Sequence, residues 1–342
     1  MRASLQSNFL ATIRSWGREP QPGTAILVKP LILVLALLLP AVGENEANAN
    51  QNGNAATPDV SKSTREDGAT PPVEVSAMVR AVAENELKTT VRELVAFKSR
   101  TVGQPGNKKA AAYLHERFKC IPGLQVAPLA GPWNNVIATL PGTDSTSREL
   151  FIVGAHYDSR GERPELAPGA MDDAAGIAIV LEMARILSQH RFTHSILFAC
   201  WNGEEIGLKG SRAFVQQLVK EGRNVSLYLN YDSTAFDPRN RMVLDVIAKP
   251  PAAAAKKLLF ENNQRYAIGF SLVEDRHACR GDHTPFAEAG FPAINTHQEV
   301  HGPHYHTAND TIERVSFPYA AKNGQLGLSI IATLANASAA TP

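Results

Sequence analysis

The feature that narrows this chain most is an alternation. Short apolar runs at 135–139, 150–154, 195–200, 226–231 and 242–247 are separated by helix-period stretches at 174–188, 211–221 and 252–266. Helical periodicity also covers 75–98 and 108–119, further strand-like runs lie at 270–273 and 292–295, and 319–336 closes the chain as an amphipathic helix. Strands alternating with helices imply an α/β fold, a largely parallel sheet with helices covering both faces. The unit that carries the pattern, 73–342, is long enough for one large domain or two small ones.

In such sheets ligands bind beyond the carboxyl ends of the strands. Reactive residues should therefore cluster just after the apolar runs, and they do. His156 and Asp158 follow the second run, Asp172 and Asp173 enter the next helix, Glu204 and Glu205 follow the third run, and Asp232 follows the fourth. A distal loop adds His301, His304, Tyr305 and His306.

Singly, each has an ordinary reading: a hydrogen-bonded pair, a helix cap, a solvated helix start. Together they point elsewhere. Two adjacent carboxylates at a strand end repel each other unless a cation compensates, and a His-plus-carboxylate donor set suits Zn²⁺. Two His and three carboxylates exceed the needs of one tetrahedral ion, and fit two ions about 3.5–4 Å apart that share one carboxylate.

Five blocks then carry a resemblance: Gly154-Ala155-His156-Tyr157-Asp158-Ser159, Pro168-Gly169-Ala170-Met171-Asp172-Asp173-Ala174-Ala175-Gly176, Asn202-Gly203-Glu204-Glu205-Ile206-Gly207-Leu208-Lys209-Gly210-Ser211, Leu229-Asn230-Tyr231-Asp232, and Tyr305-His306-Thr307-Ala308-Asn309-Asp310-Thr311. In this order they resemble the di-zinc aminopeptidase family, which includes bacterial leucyl aminopeptidases and glutamate carboxypeptidase II. The resemblance implies a single three-layer domain of the zinc-dependent exopeptidase type, with a mixed, mostly parallel sheet, acting as a metallo-aminopeptidase on peptides with a free N-terminus. It implies two zinc ions: His156 and Asp232 on one, Glu205 and His306 on the other, and Asp172 bridging both. Glu204 is then the general base, Asp158 the carboxylate that orients His156 through its other ring nitrogen, and Tyr305 a donor to the oxyanion.

The match has loose places. Met171 stands where many relatives carry an acidic or polar residue, and is read as filling space beside the site. Asp282 and His283 match the family's Asp-His-x-x-Phe block only loosely and read as a loop-stabilising pair. His301 and His304 read as solvated loop residues. Two rival readings of function accompany this one. A glutaminyl cyclase on the same fold would hold a single zinc; Ile206–Ser211 and the Tyr305-His306-Thr307 block argue for the aminopeptidase. A metal-free receptor-like protein is disfavoured because all five ligand positions and Glu204 are present.

Upstream, a basic segment precedes the most apolar run of the chain, 31–39, and small residues follow it at 41–43. That is the layout of a secretory signal, and 1–43 is read as one, with export to periplasm or exterior. The alternative is an uncleaved membrane anchor, but a span needs about 20 apolar residues and would have to include Lys29, Pro30 and Pro40. Residues 44–72, rich in Asn, Ala, Glu, Ser and Thr without aromatics, read as a disordered linker. Net charge is +1, and without 1–43 it is −2, so the chain has no basic footprint for nucleic acid. Three cysteines rule out a disulfide framework. Cys200 reads as a buried thiol, and Cys120 and Cys279 as candidates to pair after export.

Overall fold

Every residue of strand β3 (Leu150–His156) is buried, as a strand must be when it has parallel neighbours on both sides and helices above and below. The computed structural model describes residues 74–129, 131–274 and 280–336. The signal segment 1–43, the linker 44–72 and Cys279 lie outside the described residues.

β3 pairs in parallel with β4 (Ser195–Trp201) and β5 (Leu227–Tyr231), and β5 in parallel with β8 (Ala293–Gln298). Antiparallel strands close both margins: β2 (Val136–Leu140) on β4 with β1 (Gln125–Val126) outside it, and β6 (Val243–Ala248) on β8 with β7 (Ser271–Glu274) parallel beyond. The order is β1-β2-β4-β3-β5-β8-β6-β7, a mixed sheet with four parallel pairings out of seven among the described residues.

Strand alternation sorts the core onto the two faces. Phe151, Val153 and Ala155 join the larger cluster with helices α1 (Val75–Arg80), α2 (Glu84–Val95), α3 (Pro105–Lys119), α4 (Ala175–Leu187), α6 (Ala253–Arg265) and α8 (Phe317–Leu334). Leu150 and Ile152 point the other way, into a smaller cluster with α5 (Lys209–Lys220) and α7 (His283–Glu288). Helix α4 is buried at all but one of its positions, the pattern of a helix enclosed on all sides.

Three features depart from the sequence expectation. The helix expected over 75–98 is two helices, because Ala83 is extended and gives its N–H to Glu182 Oε1 of α4 at 2.8 Å instead of to its own helix. The two-residue β1 and the six-residue α7 are too short to show a period. The C-terminal end of β3 also moves: the strand runs two residues past 154, so His156 is its last residue. Among the described residues no helix is long and apolar enough to cross a membrane.

Candidate active site

Three neighbouring strand exits build the site. His156 ends β3 and is paired in register with Trp201, the last residue of β4, so the Glu204–Glu205 turn leaves the sheet beside it. Asp232 directly follows β5 on the other flank. Asp172 comes from the entry to α4, where Gly169 is left-handed (φ +55°) and Asp172 and Asp173 are non-helical before the helix starts. His306, itself left-handed at φ +58°, comes from the loop after β8.

These elements bring all five expected ligands together. His156 Nε2 lies 3.1 Å from Asp172 Oδ1 and 3.9 Å from Asp232 Oδ1. His306 Nε2 lies 3.1 Å from Asp172 Oδ2 and 3.1 Å from Glu205 Oε2. Asp172 thus stands between the two imidazoles and offers one oxygen to each. Donor atoms of His156, Asp172 and Glu205 all fall within 4.8 Å of one another.

The donor set fits metal ions on two counts. Ligand atoms about 2.0–2.1 Å from a tetrahedral centre lie about 3.3 Å apart, close to three of these four separations. Moreover Asp172 Oδ2, Glu205 Oε1 and His306 Nε2 are buried without a hydrogen-bond partner. Buried polar atoms left unsatisfied cost about 1–3 kcal/mol each, and atoms that meet at 3.1 Å without hydrogen-bond alignment are aimed at a shared third point.

The neighbouring charges agree. Burial pushes Glu204 up to about 10, Glu205 to about 7 and Asp232 to about 6. Burial opposes the charged imidazoles, yet the nearby carboxylates of Asp158 and Asp172 raise His156 well above its ordinary value, and those of Asp172 and Glu205 raise His306 to about 9. Asp172 goes the other way: against its burial, His156 and His306 hold it below the usual carboxylate range. Without a cation, protons on the imidazoles and outer carboxylates do the neutralising.

Asp158 differs in detail from the expectation. His156 Nδ1 lies 3.1 Å from the Asp158 backbone carbonyl, and 3.6 Å from the carboxylate. The carbonyl is the closer acceptor for an Nδ1–H, so Nε2, which faces Asp172 at 3.1 Å, is the nitrogen that could serve a metal. The carboxylate instead accepts the backbone N–H of Glu204 at 3.1 Å and of Glu205 at 3.2 Å. It anchors the Glu204–Glu205 turn.

The Asp172–Asp173 pair divides its work. Asp173 Oδ1 accepts the N–H of Gly176 in the first turn of α4, as a cap does; Asp172 turns to the imidazoles. Met171 is buried, its N–H on Asp310 Oδ1 and its methyl facing Gly302. Tyr305 stacks on His306 with ring centroids 3.7 Å apart and on His301 at 4.4 Å; burial raises its phenol, so the hydroxyl stays protonated. Asp282 accepts from Ser211 Oγ of α5, not from His283. Cys200 is fully buried in β4, and burial raises its thiol.

Two residues near the site escape sequence reasoning. Asp310 takes the N–H groups of Met171 at 2.9 Å and Asp172 at 3.1 Å, clamping the turn that presents the central carboxylate. It stands inside a quoted block, and its position four residues after His306 was the only signal. Arg100 is buried completely and hydrogen-bonds Tyr157 and Gly169 carbonyls; a single Arg without a pattern gives no signal.

Comparisons with known proteins bear on this geometry. The sequence profile of Peptidase family M28 matches residues 135–331. A probable zinc metalloprotease of Leptosphaeria maculans is 29% identical over 337 residues, covering 78% of each chain. A probable leucine aminopeptidase of Trichophyton verrucosum is 29% identical over 285 residues, covering 77% of this chain and 76% of its own. In fold, the LapA aminopeptidase of Legionella pneumophila superposes with a TM-score of 0.70 over 80% of this chain and 78% of its own, at 19% identity.

Proposed function

This chain belongs to peptidase family M28, and from that premise we propose that it is a zinc-dependent aminopeptidase that removes N-terminal residues from peptides. The observation that carries the reading is the placement of Asp172, one oxygen toward His156 and the other toward His306, with Glu205 and Asp232 on the two flanks. That arrangement supports two zinc ions per chain, His156 and Asp232 on one, Glu205 and His306 on the other, with Asp172 shared.

Bound zinc supplies Lewis acidity, lowering the pKa of water and polarising a carbonyl. The chain's own residues do the rest. Glu204, next to Glu205, would take a proton from the attacking water and return it to the leaving amine; the cation charge would lower its carboxyl from the raised metal-free value into a range where it can do both. The Asp158 carboxylate holds the Glu204 backbone and so the carboxyl's position. Tyr305, kept protonated, donates toward the oxyanion. The carboxylate-rich site favours a cationic α-amino group, which suits an exopeptidase acting on free N-termini.

Purified protein should hydrolyse aminoacyl-anilides and lose that activity to a chelator, with recovery on zinc addition. No hydrolysis by the zinc-loaded protein defeats the reading. One zinc at saturation together with cyclisation of N-terminal glutamine would favour a glutaminyl cyclase instead. We also propose export, on the basic segment, the apolar run at 31–39 and the small residues after it.

A further inference from the structure

The proposed chemistry makes no use of Arg100, yet its burial is complete and it comes from a segment that precedes the matched residues 135–331. A guanidinium out of water is costly unless its nitrogens find acceptors and negative charge lies close. Each of the three guanidinium nitrogens of Arg100 has an acceptor, and four carboxylates lie near enough to act on its charge. Nε donates to the Tyr157 carbonyl at 2.8 Å, Nη2 to the Gly169 carbonyl at 2.8 Å, and Nη1 to the Pro168 carbonyl. Burial lowers its pKa to about 10 against the pull of Asp310, Asp173, Asp158 and Asp172, so it remains charged at neutral pH.

Those carbonyls belong to two separate ligand-bearing segments. Tyr157 directly follows His156, and Gly169 lies three residues before Asp172. The fork of one planar side chain therefore ties the exit of β3 to the turn that delivers the central carboxylate. Slack is absent. A Cβ on Gly169 would meet the Asp172 carbonyl at 2.4 Å and Arg100 Nη2 at 3.0 Å, so the guanidinium packs directly on that turn. The backbone of Arg100 is fixed as well: Ser159 Oγ accepts its N–H at 2.9 Å and donates to the Ala167 carbonyl at 2.7 Å, while Asn107 Nδ2 donates to its carbonyl at 2.7 Å.

We propose that Arg100 is a positioning residue of the metal site, its guanidinium setting the separation between His156 and Asp172. The inference rests on the zinc reading above. Arg100 touches no ligand side chain in this role; it acts through the backbone on either side. A lysine keeps the charge but, as a compact ammonium, cannot span three carbonyls in one plane.

The full chain is purified as wild type, Arg100→Lys, Arg100→Met and Ser159→Ala, with folding checked by circular dichroism. Zinc affinity is read by competition with a chromophoric chelator, the coordination by the visible spectrum of the cobalt-substituted protein, and kcat and KM separately. Folded Arg100 variants should bind zinc about 10–100-fold more weakly, the range found when a group supporting a ligand is lost, with an altered cobalt spectrum and the loss of turnover mainly in kcat. Wild-type affinity and spectrum in a folded Arg100 variant, even one with a lower unfolding temperature, overturn the proposal, since that is what a merely structural arginine would give. Should neither Arg100 variant fold, Ser159→Ala decides: several-fold weaker zinc binding supports the proposal and unchanged binding overturns it. A wild-type chain that binds no zinc defeats the functional reading itself.

Discussion

The carboxylate of Asp158 accepts the backbone N–H of Glu204 at 3.1 Å, although 46 residues separate them in sequence. The residue whose carbonyl meets the His156 imidazole thereby also holds the Glu204–Glu205 turn. Asp158→Asn keeps the backbone carbonyl that holds His156 but replaces one acceptor oxygen by a donor, so the bond to Glu204 or to Glu205 is lost. Turnover should fall about 10–100-fold with zinc content retained. Wild-type turnover would show that the anchored turn does not matter.

Glu204 and Glu205 are neighbours to which the proposed mechanism gives separate tasks. Glu204→Gln preserves size and polarity but removes the basic oxygen, and should cost about 10²–10⁴ in kcat while KM moves little. Zinc stays at its wild-type level. Glu205→Gln should instead weaken one metal site, seen as a lowered zinc-to-protein ratio after dialysis. A fully active Glu204→Gln protein with its metal intact places the proton path elsewhere.

The pH dependence of the metal-free chain follows from the raised groups. Asp232 at about 6 and Glu205 at about 7 stand above ordinary carboxylates, so the folded state binds their protons more tightly than the unfolded state. Folding loses stability as pH rises from the ordinary carboxylate range through those values. His306, at about 9, stabilises fully below the ordinary imidazole value and loses that contribution as pH climbs through 9. Both act in one direction. The chelated protein should therefore unfold at lower urea at pH 8 than at pH 5.5, and zinc should restore most at the higher pH, where fewer protons compete. A metal-free chain more stable at pH 8 would contradict these assignments.

Helix α8 lies close behind β5, which ends one residue before Asp232. A Cβ on Gly327 would fall 1.7 Å from the Tyr231 hydroxyl and 2.7 Å from Leu229 Cδ2. Gly327→Ala should overpack the core by about 1–3 kcal/mol, read as a lower urea midpoint, and lower zinc affinity by displacing the residue before Asp232. Unchanged stability would mean that α8 sits farther from β5.

If the chain is exported and processed, N-terminal sequencing of the mature protein should begin between Glu44 and Asn50. An intact N-terminus on a membrane-bound product would indicate an anchor.

By itself the sequence determined the class of sheet and the kind of site. Fully buried strands such as β3 need unbroken apolar runs, and a metal needs His and carboxylate donors, so both requirements leave marks in residue type and spacing. That is why the sequence could single out His156, Asp172, Glu205, Asp232 and His306 as a group, and the structure brings their side chains together. Tertiary structure decided what depends on distant partners. The break between α1 and α2 follows from Glu182, 99 residues from Ala83. The clamp on the Asp172 N–H comes from Asp310, 138 residues away, and the hold on the Gly169 turn from Arg100, 69 residues away. It also decided that Asp158 holds His156 by its carbonyl and the glutamates by its carboxylate. Such contacts demand only that one donor meet one acceptor in space. A single residue satisfies that demand without any local period or motif, and only the folded chain shows which residue it is.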